Sequence, residues 1–158
     1  EYIVDSIKKV LDNDQKEEIT NYILKKLPEW FGIEDSIVEY VHGIKDTDFF
    51  AAYDSNLPIG FISIKSNNIY TSEIYVMGIL KEYHNQGIGK ELLKRCEEVL
   101  KSNKCKFIMV KTVGESHPDK HYKDTREFYS KVGFYPLEEI KEIWGKENPC
   151  LIMVKEIG

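Results

Sequence analysis

The chain has little of what would tie it to a membrane, a metal or a disulfide scaffold. Its 158 residues include three cysteines, Cys96, Cys105 and Cys150. They are widely scattered and form no Cys-x-x-Cys pair, so neither a zinc site nor a disulfide framework is supported. They read instead as small buried apolar groups in a reducing, cytoplasmic setting. The longest apolar stretches, such as residues 74–80, fall far short of the ~20 residues that a membrane span needs. The amino terminus, Glu1-Tyr2-Ile3-Val4-Asp5, has no basic segment leading into an apolar one, unlike a secretion signal. Repeats, low-complexity tracts and Pro/Gly/Ser linkers are missing, so residues 1–158 are expected to form one domain. A basic excess is missing too: 22 Lys and Arg against 27 Asp and Glu leave a net charge of −5. That balance argues against a nucleic-acid partner, because phosphate binding relies on cations that displace counterions.

What remains is an ordinary globular composition, 42% hydrophobic and 31% charged. A chain of this length can bury about 68–70% of its unfolded surface, enough for a core without staples. The apolar stretch at Ile3 and Val4 reads as an edge strand. Asp12-Asn13-Asp14 offers caps for a helix carrying Ile19, Ile23, Leu24 and Leu27 at helical spacing, interrupted by Pro28 and Gly32. A second short helix places Ile37, Val38, Tyr40, Val41 and Ile44 on one side. Residues 49–53 and 59–64 flank Asp54-Ser55-Asn56 as a hairpin, and a third strand runs over 69–79. Leu92, Leu93, Cys96, Val99 and Leu100 mark an amphipathic helix. A buried strand at 107–110, a helix over 123–131 ending at Gly133, and strands over 135–143 and 151–157 complete the reading. This order indicates a mixed α/β sheet with helices on both faces.

The most informative segment is His84-Asn85-Gln86-Gly87-Ile88-Gly89-Lys90, between a strand and the amphipathic helix. Two glycines let the backbone pass close to a ligand. The helix start adds unpaired N–H groups and partial positive charge, which together suit a diphosphate. A turn before a helix is the plain alternative. The spacing is not that of a Walker loop, and Leu92 stands where a dinucleotide fingerprint needs its third glycine.

These residues resemble the R/Q-x-x-G-x-G/A signature of the GNAT superfamily of acyl-CoA-dependent N-acyltransferases. Glu73-Ile74-Tyr75-Val76-Met77-Gly78-Ile79 looks like that family's splayed fourth strand. Phe128-Tyr129-Ser130-Lys131-Val132-Gly133-Phe134 is similar to its L/F-Y-x-K-x-G-F stretch. The resemblance implies a mostly antiparallel sheet of six to seven strands, with a splayed fourth strand and about four helices on both faces. It departs at His84, where the family has Arg or Gln. A protonated His84 would donate to phosphate; otherwise it is an exposed turn residue and the amides act alone.

The activity that the resemblance implies is acetyl transfer from acetyl-CoA, as co-substrate, to a primary amine in a ternary complex, with no metal. The alternative is a non-catalytic acyl-CoA-binding module of the same fold. The pantetheine arm would pair with the backbone of Met77 and Ile79, with Asn85, Gln86, Gly87, Ile88, Gly89 and Lys90 at the pyrophosphate. An N–H near Met77 or Gly78 would stabilise the oxyanion. Tyr129 stands at the family's tyrosine position, as general acid toward the CoA thiolate, with its neighbour Phe128 the better core residue. Glu73 is either the base or a solvated strand-edge carboxylate; His117 or His121, in the loop before Tyr129's helix, could reach the amine from the other side, or a water chain takes its proton. Tyr122 replaces the family's asparagine. Trp30, Phe31 and Trp144 form an aromatic wall for the acceptor or pack under loops, and Glu29 or Glu34 would attract its cation. A homodimer follows by analogy alone.

Overall fold

A computed structural model describes residues 6–32 and 34–158. Seven strands form one sheet in the order β1-β2-β3-β4-β5-β7-β6. They are β1 (Ser6–Lys9), β2 (Asp48–Asp54), β3 (Leu57–Ser66), β4 (Thr71–Ile79), β5 (Phe107–Val113), β6 (Tyr135–Ile140) and β7 (Cys150–Glu156). All neighbouring pairs are antiparallel except β4 and β5, which run parallel. The helices are α1 (Asn13–Leu24), α2 (Glu34–Gly43), α3 (Ile88–Ser102), α4 (Lys120–Lys131) and the single turn α5 (Lys141–Trp144).

Local chemistry accounts for the element ends. The Asp12 carboxylate accepts from the Gln15 amide and caps α1. Ser55 and Asn56 both take positive φ, 49° and 76°, the geometry of a two-residue hairpin turn between β2 and β3. The sheet's alternation buries Phe49 and Phe61, whose rings stack 5.3 Å apart. α3 turns Leu92, Leu93, Cys96 and Leu100 into the core. All three cysteines are free and buried.

Five expectations need correction or bounding. Val38 is 48% exposed and does not join the buried side of α2. The sixth strand stops at Ile140, because residues 141–144 close into a helical turn before Gly145. α4 begins earlier, at Lys120, since the Asp119 carboxylate caps it by accepting from the His121 amide. Ile3, Val4 and the side chain of Glu34 lie outside the described residues.

Two features of β4 position the site. First, its pairing with β3 shifts register: Ser63 faces Val76 but Ile64 faces Ile74, leaving Tyr75 as an extra residue. Such a bulge re-aims side chains and ends regular pairing. It puts Glu73 on the same face as Val76 and Gly78, and Ile74 on the face of Met77 and Ile79. Second, β4 and β5 pair only from Thr71↔Phe107 to Ile74↔Val110, although both strands continue. Beyond that point the sheet is open, a V with its apex at Ile74 and Val110.

Helices cover both faces. A Cβ on Gly78 would meet Ile23, Leu24 and Leu27 at 3.2–3.3 Å, so α1 packs on the Gly78 face, and the Tyr75 hydroxyl donates to the Glu39 carbonyl of α2. A Cβ on Gly89 of α3 would meet Met77 at 3.1 Å and Phe128 of α4 at 2.9 Å, which places α3 and α4 on the other face.

Candidate active site

The inner edge of β4 is built from main chain. The Leu80 amide donates to Ile59 at 2.9 Å, and Leu80 and Ile59 are opposite by register. In an antiparallel ladder, hydrogen-bonded pairs alternate with non-bonded ones. Leu80, Gly78 and Val76 therefore spend their amides and carbonyls on β3, while those of Met77 and Ile79 face the gap toward β5. Of the two oxyanion candidates, the Met77 amide points into the gap and the Gly78 amide does not. Gly78 serves instead to let α1 close onto the sheet.

The gap leads to the start of α3. Gly87 is its N-cap at φ +81° with open space around it, and no side chain caps the helix. The Glu91 amide makes the first intrahelical bond, to Gly87. The amides of Ile88, Gly89 and Lys90 thus sit at the positive end of a 15-residue helix, an anion site in physical terms. The two glycines have different tasks: Gly87 makes the turn, and Gly89 admits Met77 and Phe128. Asn85 also takes positive φ, 61°, and Gln86 donates to the Glu82 carbonyl.

His84 is neither an exposed turn residue nor aimed outward through Nε2. It is half-buried, and Nε2 lies 2.6 Å from the Ile79 carbonyl, one of the two facing the gap. A carbonyl only accepts, so Nε2 carries the hydrogen and Nδ1 is left for any other partner.

On α4 the burial of two neighbours is the reverse of that expected. Tyr129 is 6% exposed and belongs to the core, whereas Phe128 is only partly buried. Burial, and then the neighbouring Tyr40, push the Tyr129 phenol well above its ordinary value. It therefore holds its proton more tightly than an exposed tyrosine does.

Aromatic side chains cluster beside the end of β4. Phe31 lies edge-on to Tyr40 at 5.7 Å, and Tyr40 to Tyr75 at 5.6 Å. Trp30 lies edge-on to His84 at 5.6 Å and to His121 at 4.8 Å, and its indole N–H donates to the His121 carbonyl at 3.1 Å. Trp30 thus spans from the end of β4 to the first turn of α4. His117 stacks edge-on against Tyr122 at 5.0 Å. Trp144, 40% exposed, lies on α5, the turn between β6 and β7.

Glu29 and Glu73 each have a lysine partner, but the buried Glu29 Oε1 has no hydrogen-bond partner among the described residues. Glu29 accepts from Lys81 at 2.7 Å, which holds its carboxyl below the usual range together with its own backbone amide. Glu73 is 5% exposed rather than solvated, accepting from Asn67 at 3.1 Å and facing Lys111 at 3.5 Å. Lys111 was not singled out from the sequence, although a lysine inside the apolar run Phe107-Ile108-Met109-Val110-Lys111-Thr112-Val113 is a signal, because a cation in a buried strand needs a partner. Among the described residues no cluster of His, Cys, Asp and Glu is arranged to hold a metal ion. No helix among them is long and apolar enough to cross a membrane.

Comparison with known proteins identifies the family. The sequence profile of the Acetyltransferase (GNAT) family matches residues 16–134. The chain belongs to that family, and so to the acetyltransferases. It is similar to an uncharacterized N-acetyltransferase of Chlorobaculum tepidum, 25% identical over 119 residues, or 73% of this chain; the match spans 66% of that protein's length. A protein of Desulfovibrio desulfuricans assigned to the GNAT family shares the fold at 16% identity and TM-score 0.80, over 97% of this chain and 99% of its own. An aminoglycoside 6'-N-acetyltransferase complexed with coenzyme A does so at 19% identity and TM-score 0.73, over 97% of each chain.

Proposed function

We propose that the protein transfers an acetyl group from acetyl-CoA to a primary amine by direct attack in a ternary complex. The observation that carries this reading is the unpaired edge of β4 at Met77 and Ile79, continuous with the free amides opening α3. An arm bearing amides can lie along that edge as an added strand, bonding to the Met77 C=O and the Ile79 N–H. His84 keeps the Ile79 carbonyl. The segment from Asn85 to Lys90 takes the pyrophosphate through its amides. The coenzyme-A-bound relative supports this choice of co-substrate.

The chemistry requires a neutral amine, a donor for the oxyanion and a proton for the departing sulfur. Glu73 sits on the face opposite α3, on the side from which the acceptor approaches, and takes the amine's proton. The Met77 amide faces the developing oxyanion as a fixed dipole. Tyr129, protonated and shielded from water, donates to the thiolate. Trp30 and Phe31 wall the acceptor with Tyr40 and Tyr75, and Trp144 borders the far side. The aromatic faces offer the acceptor's ammonium cation–π contacts.

A cytoplasmic setting fits the three free thiols. A homodimer would form through the outer edge of β6, where Tyr135 is 73% and Leu137 66% exposed; light scattering in solution tests it. The central test is thiol release from acetyl-CoA over a panel of amines, peptides and aminoglycosides, with melting temperature followed alongside. We expect acetyl-CoA to raise the melting temperature by mass action and at least one amine to release CoA. Stabilisation with no release for any acceptor would instead support the non-catalytic binding module.

A further inference from the structure

Lys111 is the first residue of β5 beyond the last pair with β4, Ile74↔Val110, so it stands at the apex of the V. By alternation from Met109, which pairs with Glu73, its side chain shares the Glu73 face. Its Nζ lies 3.5 Å from Glu73 Oε2, and the side chain is 33% exposed against 7% for Glu73. Asn67 holds the other carboxylate oxygen at 3.1 Å. The chain therefore seats one of its own primary amines on the carboxylate assigned as base, beside the strand edge that would carry the thioester.

We propose that Lys111 is a self-acetylation site; this rests on the acetyl-CoA reading above. The Lys111 ammonium gives one proton to Glu73. Its neutral nitrogen then attacks the thioester carbonyl carbon, the N–C bond forms and the C–S bond breaks. The sulfur takes a proton from Tyr129, which regains one from the acylated nitrogen, and Glu73 releases its proton to solvent. The products are N-acetyl-lysine and free CoA. The flexible four-carbon stem lets the amine turn from Glu73 toward the acyl carbon. Once acetylated, Lys111 no longer carries the charge that meets Glu73.

The test is incubation of the purified chain with acetyl-CoA and no added amine, followed by mass spectrometry of the intact chain and its peptides. Exposed lysines such as Lys25 and Lys131 serve as the internal reference for uncatalysed labelling. We expect one acetyl group per chain at Lys111, gained at least ~10-fold faster than at the reference lysines through proximity to the thioester. Glu73→Gln is expected to slow Lys111 labelling toward the reference rate. Lys111→Arg, which keeps a cation on Glu73 but removes the nucleophile, is expected to lose the fast label. Lys111 labelling no faster than the reference, or the same fast single acetyl in Lys111→Arg, overturns the proposal. Transfer to an added amine with Lys111 unlabelled overturns this inference alone, whereas no thermal shift with acetyl-CoA overturns the co-substrate reading as well.

Discussion

Along β4 and the first turn of α3, the groups that face the ligand space are backbone amides and carbonyls. In the proposed function, the groups across the gap are side chains from segments far apart in sequence: Trp30 and Phe31 after α1, Tyr40 on α2, Lys111 on β5 and Tyr129 on α4. The first wall needs only a bulge, an interrupted ladder and two glycines, so it tolerates almost any side chain that points elsewhere. The second needs particular rings and charges held by distant packing. A cofactor common to many enzymes can be met by a wall of the first kind, while the acceptor must be told apart by the second.

Substitutions can break this division. The largest expected effect is from Tyr129→Phe, which keeps the buried ring and removes the proton. The turnover number should fall ~10²–10⁴-fold, with the acetyl-CoA dissociation constant within about twofold, by steady-state kinetics and calorimetry. Equal losses in both would mean that the phenol serves binding instead. Trp30→Ala should act on the other rim, raising the acceptor KM about 10-fold while leaving acetyl-CoA affinity alone. A change in cofactor affinity would move Trp30 to the first wall.

Smaller effects separate the two glycines. Gly89→Val overpacks Met77 and Phe128 and should cost about 1–3 kcal/mol in chemical denaturation. Gly87→Ala meets no neighbour, but its left-handed backbone should cost about 1–2 kcal/mol. The smallest effect concerns pH. Tyr129 has a raised pKa in the folded chain, so the folded state keeps a proton that the unfolded state loses above about pH 10. Stability from this group is full below that pH and falls as pH rises past it. Tyr129→Phe should flatten that alkaline decline in melts taken at a series of pH values.

The legible parts of the fold were those with local causes. The Asp12 cap, the hairpin at Ser55 and Asn56, the Leu92 face of α3 and the glycine turn into it could all be read from neighbouring residues. Phe128 and Tyr129 could not be ranked, because adjacent helical positions differ only in what tertiary packing brings to each. The inward turn of His84 depends on a carbonyl left unpaired by the splay, and the splay is a property of pairing, not of composition. The bulge at Tyr75 was hidden for the same reason, and with it the face on which Glu73 lies. Residues 141–144 lost their strand to a connection whose geometry is set by β7.

The half-used ladder of β4 should leave a signature in amide hydrogen exchange. With no cofactor present, the N–H groups of Met77 and Ile79 have no strand to bond, whereas those of Val76, Gly78 and Leu80 are locked to β3. Deuterium should enter at every second position of this short stretch, a comb of fast and slow sites. Adding the coenzyme should close the fast teeth and leave the slow ones as they were.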